Sequence, residues 1–73
     1  MSHLINLVNL AEAMSQLASM GIARIELAEL AIRQANEAYC ETVYANGDSD
    51  ELEYLSERIG NANGIVAMML LGR

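Results

Sequence analysis

The chain has 73 residues, 53% of them hydrophobic, with a formal net charge of −6, no Lys and a single Cys. One Cys excludes an internal disulfide, and one distant His leaves no zinc-binding set, so we expect neither metal nor cofactor. The acidic balance disfavours direct binding to nucleic acid, which requires a basic stripe. No apolar run is long enough to span a membrane, and the N-terminus lacks a basic leader region, so we expect a cytoplasmic protein.

The composition also predicts an all-α fold. There is no Pro, no Phe and no Trp, so the core must consist of Leu, Ile, Val, Met and Ala, which suits helix-on-helix packing. We expect one domain over residues 1–73, with helices at about residues 3–20, 22–46 and 50–71. The predicted architecture is a helical hairpin with an additional N-terminal helix, assembled as a dimeric helical bundle.

The first predicted helix has a wide apolar side and a narrow polar stripe. Ser2 is the candidate N-cap. Leu4, Leu7, Met14 and Leu17 fall on one side, which is widened by Ile5, Val8, Leu10, Ala11 and Ala18. Gly21 either ends this helix or lies inside one bent rod that continues into the second helix. We favour a break at residues 18–22, with Ser19 as the candidate cap of the next helix.

The second and third helices carry matching apolar stripes in steps of three and four, which we call the seams. The seam of the second helix consists of Ile25, Ala28, Ile32, Ala35 and Tyr39. The seam of the third helix consists of Leu52, Leu55, Ile59, Ala62, Val66 and Met69. Antiparallel pairing places Tyr39 near Leu55 or Ile59. Gly60 and Gly64 suggest the close approach of another backbone, or simple tolerance of glycine at those positions.

A short turn joins these two helices. Gly47 follows the second helix, where a positive φ is needed, and Asp48 precedes Glu51 by the three positions of a capping box. Cys40, a few residues before the turn, is expected to be a small, partly buried side chain and not a nucleophile.

The end of the third helix is apolar on all sides. Each large side chain buried there contributes about 1.5–3 kcal/mol. We therefore expect the apolar tail to be covered by a second copy of the chain or by the first helix. The tail consists of Ile65, Met68, Leu70 and Leu71.

Around the turn lies an acidic cluster flanked by tyrosines, and it is the candidate protein-binding site. It consists of Tyr44, Asp48, Asp50, Glu51, Glu53, Tyr54 and Glu57. Such a patch either steers the protein toward a basic partner or serves the helix dipole and solubility alone. No His, Lys or apolar pocket is expected near these acids to tune a carboxylate for acid–base chemistry, so we expect no enzyme and no catalytic residue.

The segments GIARIELAELAIRQANEAYCETV and DSDELEYLSERIG resemble small helical proteins of temperate phages that shut down host regulators, in particular the quorum-sensing anti-activators. The resemblance covers residues 20–72. It implies a phage-encoded homodimer that acts in the host cytoplasm. The implied partner is the helix-turn-helix domain of a LuxR-class regulator, or a pilus-assembly ATPase.

We therefore expect a non-catalytic inhibitor that dimerises and blocks a host protein. Two alternatives stay open. An acidic protein can mimic DNA and block a nuclease or restriction system, although ten carboxylates offset by four Arg are few for that role. The seams by themselves would also suit a structural dimerisation or assembly adaptor.

Overall fold

Residues 2–47 and 49–72, which the computed structural model describes, form three α-helices and no strand. The helices are α1 (Ser2–Ser19), α2 (Ile25–Asn46) and α3 (Asp50–Leu71). The rod-shaped bundle measures 39 × 18 × 14 Å, so its long axis is close to the length of a 22-residue helix. None of the three helices is both long enough and apolar enough to span a membrane.

The two seams lie on the inner faces of α2 and α3. Ala28, Ile32 and Ala35 are buried in α2, whereas Ile25 and Tyr39 at its ends are half-buried. Five of the six seam residues of α3 are buried, and Met69 is half-buried. Two further alanines of α2, Ala31 and Ala38, are also buried and widen the inner face of that helix.

The first helix has a larger part in the packing than the sequence suggested. Helix α1 contacts both α2 and α3 more extensively than those two helices contact each other. Its buried stripe is Leu4, Val8, Ala11, Ser15 and Ala18. Of the predicted apolar side, four residues are buried and one is exposed, Leu10, while the other four are half-buried at its edge: Ile5, Leu7, Met14 and Leu17.

Ser15 is the one residue of the buried stripe of α1 that the sequence did not place on the apolar side. This side chain is fully buried, and its hydroxyl donates a 2.8 Å hydrogen bond to the carbonyl of Ala11 in the preceding turn. A hydroxyl whose hydrogen bond is made within its own helix can occupy a core position. The inner face of α1 therefore combines Leu4 and Val8 with three small residues, while Leu7 and Leu17 lie at its margin.

The break between α1 and α2 comes from Gly21. Its φ is 78°, and the amide groups of Gly21 and Ile22 donate to the carbonyls of Ala18 and Leu17 at 3.1 and 2.9 Å. This pair of hydrogen bonds is a Schellman motif, which ends a helix. The continuous bent rod is therefore wrong, and α2 begins at Ile25, three residues later than expected.

The caps that the sequence suggested for the first two helices do not form. Ser19 does not cap α2, because it is the last residue of α1 and lies six positions before Ile25; its hydroxyl donates to the carbonyl of Gln16. Arg24 takes the N-cap position of α2 without a side-chain hydrogen bond. Ser2 is the first residue of α1 and not the residue before it.

The turn between α2 and α3 uses Gly47 and Ser49. Gly47 has a φ of 76°, and its amide donates to the carbonyl of Val43 at 2.7 Å. The Ser49 hydroxyl accepts a 3.2 Å hydrogen bond from the amide of Leu52 and caps α3. Asp48, the predicted cap, lies outside the described residues.

Gly60 and Gly64 do not mark a close approach of helices within the chain. Both are exposed, and a Cβ atom added at either position would meet nothing within 4 Å. The seam of α3 faces the core, and these two glycines lie on the solvent side.

Candidate functional site

The contacts of Arg58 show which residues of α3 and α1 lie side by side. The Arg58 guanidinium in α3 donates to Asn9 Oδ1 at 2.6 Å and to the Glu12 carboxylate in α1. Tyr39 in α2 shares a surface depression with Asp50 and Glu53, and Ile32 shares a groove with Asn63, so α2 runs antiparallel to α3. His3 and Leu7 similarly lie beside Glu41 and Ala38, so α2 is also antiparallel to α1.

This register divides the described bundle into two halves along its long axis. We call residues 2–12, 36–47 and 49–58 the turn half, because it contains the α2–α3 turn. Residues 13–35 and 59–72 form the loop half, which contains the α1–α2 loop. The boundary lies at the level where Arg58 meets α1 and at the midpoint of α2.

Charge is distributed unevenly between the two halves. The turn half contains seven carboxylates and one arginine, Arg58. The loop half contains two carboxylates, Glu26 and Glu29, and two arginines, Arg24 and Arg33. The loop half is therefore neutral in formal charge, and the turn half carries the whole negative charge of the described residues.

The predicted protein-binding residues lie together in the turn half, apart from Asp48, which lies outside the described residues. Tyr44 is 96% exposed at the end of α2, and Tyr54 is 59% exposed in α3. The carboxylate side chains of the cluster, all exposed, occupy the first two turns of α3: Asp50, Glu51, Glu53 and Glu57. Three of these acids lie in the first turn, where the positive end of the helix dipole stabilises them.

The sequence did not predict the part that Arg58 has beside this cluster. Its hydrogen bond to Glu12 raises the pKa of the Arg58 guanidinium, which burial opposes. The guanidinium carbon also lies 5.6 Å from the centre of the Tyr54 ring, within reach of a cation–π contact. The sequence did contain a pattern that suits this contact. Asn9 and Glu12 lie three residues apart on the polar stripe of α1, so their side chains can reach the same partner.

The apolar tail of α3 is largely uncovered within the chain. Met68 is 72% exposed, Leu71 is 84% exposed and Leu70 is 45% exposed, while Ile65 is half-buried. We expected either α1 or a second copy of the chain to cover the tail. The expectation that α1 covers it is wrong for these three exposed side chains.

Other exposed apolar residues lie in the same half of the bundle as the tail. Of the ten large apolar or aromatic side chains that are exposed in the described residues, seven belong to the loop half. The four outside the tail are Met20, Ile22, Leu27 and Leu30.

Cys40 lies on the surface, contrary to the partly buried position expected from the sequence. It lines an open groove of about 530 Å³ between α2 and α3, together with Ile32, Arg33, Asn36 and Asn63. No side-chain nitrogen or oxygen that is buried in the described residues lacks a hydrogen-bond partner. Across residues 2–47 and 49–72, no three His, Cys, Asp or Glu side chains are grouped so that they could hold a metal ion. The groove therefore shows no built ligand site.

Comparison with protein-family models, with curated proteins and with solved structures found no match to the chain.

Proposed function

We propose that this chain is a non-catalytic protein-binding inhibitor whose turn half docks on a basic surface of another protein. The observation that carries the proposal is the concentration of negative charge in that half, beside two exposed tyrosines. Clustered charge of one sign raises the rate of encounter with an oppositely charged partner. Tyrosine is a frequent interface anchor because it offers a large contact area for little loss of rotamer entropy.

The charge of the turn half is almost entirely uncompensated within the bundle. Arg58 is its one arginine, and Glu12 already neutralises it. No other ion pair shorter than 4 Å forms among the described residues. Six carboxylates of the turn half are therefore free to meet cations of a partner: Glu37, Glu41, Asp50, Glu51, Glu53 and Glu57.

The resemblance of the sequence to phage anti-activators suggests which basic surface is bound. A helix-turn-helix domain presents cationic side chains to the DNA phosphates, and an acidic partner competes for them. In this proposal the protein is a phage-encoded homodimer in the host cytoplasm, and it blocks the DNA-binding domain of a LuxR-class regulator. A pilus-assembly ATPase is the second partner that the resemblance suggests.

The uneven charge favours a protein surface over the DNA-mimic alternative. Duplex DNA carries one negative charge per about 1.7 Å of its axis, so a mimic should carry carboxylates along its whole length. Here one half of a 39 Å rod is neutral. In a purely structural adaptor the acidic half would serve only solubility and the helix dipole, so removing some of its charge would leave partner binding unchanged.

The test measures competition with DNA in solution. Fluorescence anisotropy follows the release of labelled operator DNA from a purified LuxR-class DNA-binding domain as the intact chain is added. The double variant Glu53→Gln/Glu57→Gln removes two charges from the turn half. The matched control, Glu26→Gln/Glu29→Gln, removes two charges from the loop half.

We expect the wild-type chain and the control to release the DNA, and the turn-half variant to need about tenfold more protein. Circular dichroism checks that all three chains keep their helix content. Equal loss of potency in both variants would remove the special role of the turn half. Failure of the wild-type chain to release DNA would reject the LuxR-class partner.

A further inference from the structure

The outward side of α3 forms a stripe that neither α1 nor α2 covers. Its residues follow one another in steps of three and four, so they lie within about 80° of one another around the helix and extend for about 27 Å along it. The buried residues of α3, such as Leu55 and Ala62, lie on the opposite side of the helix. We call the exposed stripe the outer face of α3, and it consists of Glu53, Glu57, Gly60, Gly64, Met68 and Leu71.

The chemistry of the outer face changes along its length. Glu53 and Glu57 supply carboxylates in the turn half. Met68 and Leu71, which are 72% and 84% exposed, supply apolar side chains in the loop half. No arginine lies on this face of the described helix, because Arg58, the one arginine of α3, turns toward α1. The outer face therefore has an acidic half and an apolar half on a single helix.

Two glycines lie between the acidic half and the apolar half of the outer face. Gly60 and Gly64 are inside α3, where glycine is less favourable than alanine. Neither has a positive φ, and a Cβ atom added at either position would meet nothing within 4 Å. The fold of the single chain therefore gains nothing from glycine at these positions. A helix of another molecule, by contrast, can approach α3 more closely over glycine than over any larger residue.

Charge identifies the occupant of this face as a basic helix of another protein. A helix that lies along α3 can match the length of the face and present its own side chains in steps of three and four. Its stripe would carry Lys or Arg opposite the two carboxylates and large apolar side chains opposite Met68 and Leu71. A second copy of the chain fits less well, because its outer face has no cation. Two outer faces would place carboxylates against carboxylates or against apolar side chains.

We propose that the outer face of α3 is the docking surface for an amphipathic helix whose stripe is basic in one half and apolar in the other. The backbone of that helix comes closest to α3 at Gly60 and Gly64. This inference rests on the proposed function for the basic character of the partner, and it adds the kind of element that the partner presents. It also places the apolar end of α3 in the same interface as the acidic turn half.

The test uses a synthetic helical peptide as the probe. The peptide has about 21 residues and is rich in Ala, with arginines in one half of a single stripe and leucines in the other half. A scrambled peptide of the same composition has no stripe. Fluorescence anisotropy of each labelled peptide measures its dissociation constant for the intact chain.

Two double variants change the outer face, and one single variant is the matched control. Gly60→Gln/Gly64→Gln adds long, neutral side chains that suit a helix and have open space around them. Glu53→Gln/Glu57→Gln removes the charge of the acidic half. The control, Ala13→Gln, adds the same side chain at an exposed position of α1. Circular dichroism verifies the helix content of each variant.

We expect the wild-type chain to bind the striped peptide at least about tenfold more tightly than the scrambled peptide. Both double variants should raise the dissociation constant of the striped peptide about tenfold or more. One blocks the close approach of the peptide helix, and the other removes its ionic partners. Ala13→Gln should leave the dissociation constant nearly unchanged.

Equal binding of the two peptides, or no binding of either, would overturn the inference. An unchanged dissociation constant in Gly60→Gln/Gly64→Gln would overturn it as well, because the peptide would then lie elsewhere. Sedimentation velocity tests the other occupant. If that variant loses self-association and the wild-type chain does not bind the striped peptide, the outer face belongs to a second copy and the inference is rejected.

The DNA-competition assay distinguishes this inference from the proposed function. A wild-type chain that releases DNA but does not bind the striped peptide would support the proposed function and reject a helix as the docking element. A chain that binds the striped peptide but does not release DNA would support the docking surface and reject the LuxR-class partner.

Discussion

At the scale of single residues, the bundle depends on small side chains inside and on one ion pair at its edge. Ala11, Ser15, Ala28, Ala35 and Ala62 are all 0% exposed, so the helices approach one another at positions with little side-chain volume. Such positions tolerate little added volume, and overpacking typically costs about 1–3 kcal/mol. Arg58 joins α3 to α1 at the edge of this core, through Asn9 and Glu12.

The contact between Arg58 and Glu12 should be measurable as a coupling between two substitutions. The side chains are 21% and 31% exposed, so solvent screens the pair only in part. We expect Arg58→Met and Glu12→Gln each to lower the free energy of unfolding by about 1 kcal/mol, with a coupling of about 0.5–1 kcal/mol. Urea denaturation of the two single variants and the double variant provides the measurement.

Arg33→Met is the control for these substitutions, because Arg33 is exposed and forms no ion pair with a described residue. It should change the free energy of unfolding by less than about 0.5 kcal/mol. Strictly additive effects of Arg58→Met and Glu12→Gln would contradict the register contact. Because the pKa of Arg58 is raised, the arginine stays charged, and its share of the stability is lost only in strong alkali.

At the scale of the elements, the two connections depend on backbone geometry that glycine alone adopts readily. Gly21 and Gly47 both have φ near 77°, and a Cβ atom at either position would meet nothing within 4 Å. A side chain there would therefore cause local backbone strain, and it would not clash with another part of the chain. Gly60 and Gly64 have equally open surroundings but lie inside α3.

This contrast predicts opposite effects of the same substitution. Gly21→Ala and Gly47→Ala should each destabilise the bundle by about 1–2 kcal/mol, since an L-residue is strained at positive φ. Gly60→Ala and Gly64→Ala should each stabilise it by about 0.5–1 kcal/mol, since alanine favours the helix. Thermal unfolding followed by circular dichroism, at protein concentrations low enough to keep the chain monomeric, distinguishes the two pairs.

Each pair of glycine variants serves as the control for the other, because the atoms added are identical. Destabilisation by Gly60→Ala or Gly64→Ala in the monomer would mean that another part of the chain packs against that side of α3. That result would contradict the open surroundings described for both positions.

At the scale of the whole molecule, the bundle is polarised along its long axis. The acidic residues of the turn half and the apolar surface of the loop half lie at opposite ends of a common core. The core extends through both halves, from Leu4 and Leu52 to Ala18 and Val66. A substitution that disrupts the middle of this core should therefore unfold both halves together.

Ala62→Glu tests whether both halves depend on this core. Ala62 is fully buried in α3, and a carboxylate there has no partner among the apolar residues of the core. An unpaired buried charge costs several kcal/mol, close to the 5–15 kcal/mol that typically holds a domain together. We expect loss of most helical circular dichroism at neutral pH.

Asn61→Glu is the matched control, because it places the same side chain at the adjacent, exposed position. It should leave the helix content and the melting temperature nearly unchanged. Full retention of structure in Ala62→Glu would mean that the inner face of α3 has been assigned to the wrong side.

The sequence by itself determined the helical class, the inner faces of α2 and α3, and the position of the α2–α3 turn. Apolar spacing in steps of three and four is a local property, and Gly47 acts through its own φ, so neither needs knowledge of distant contacts. The same reasoning left Gly21 ambiguous, because a glycine near a helix end is compatible with a stop or with a bend.

Only the tertiary structure decided which side of α1 is buried, which residues α1 contacts and which apolar residues stay exposed. Ser15 is polar in sequence yet fully buried, and Arg58 finds Glu12 across 46 positions of the chain. Gly60 and Gly64 looked like a packing motif and lie open to solvent. These outcomes depend on how three helices share a limited inner surface, which is a property of their mutual arrangement and of no single helix.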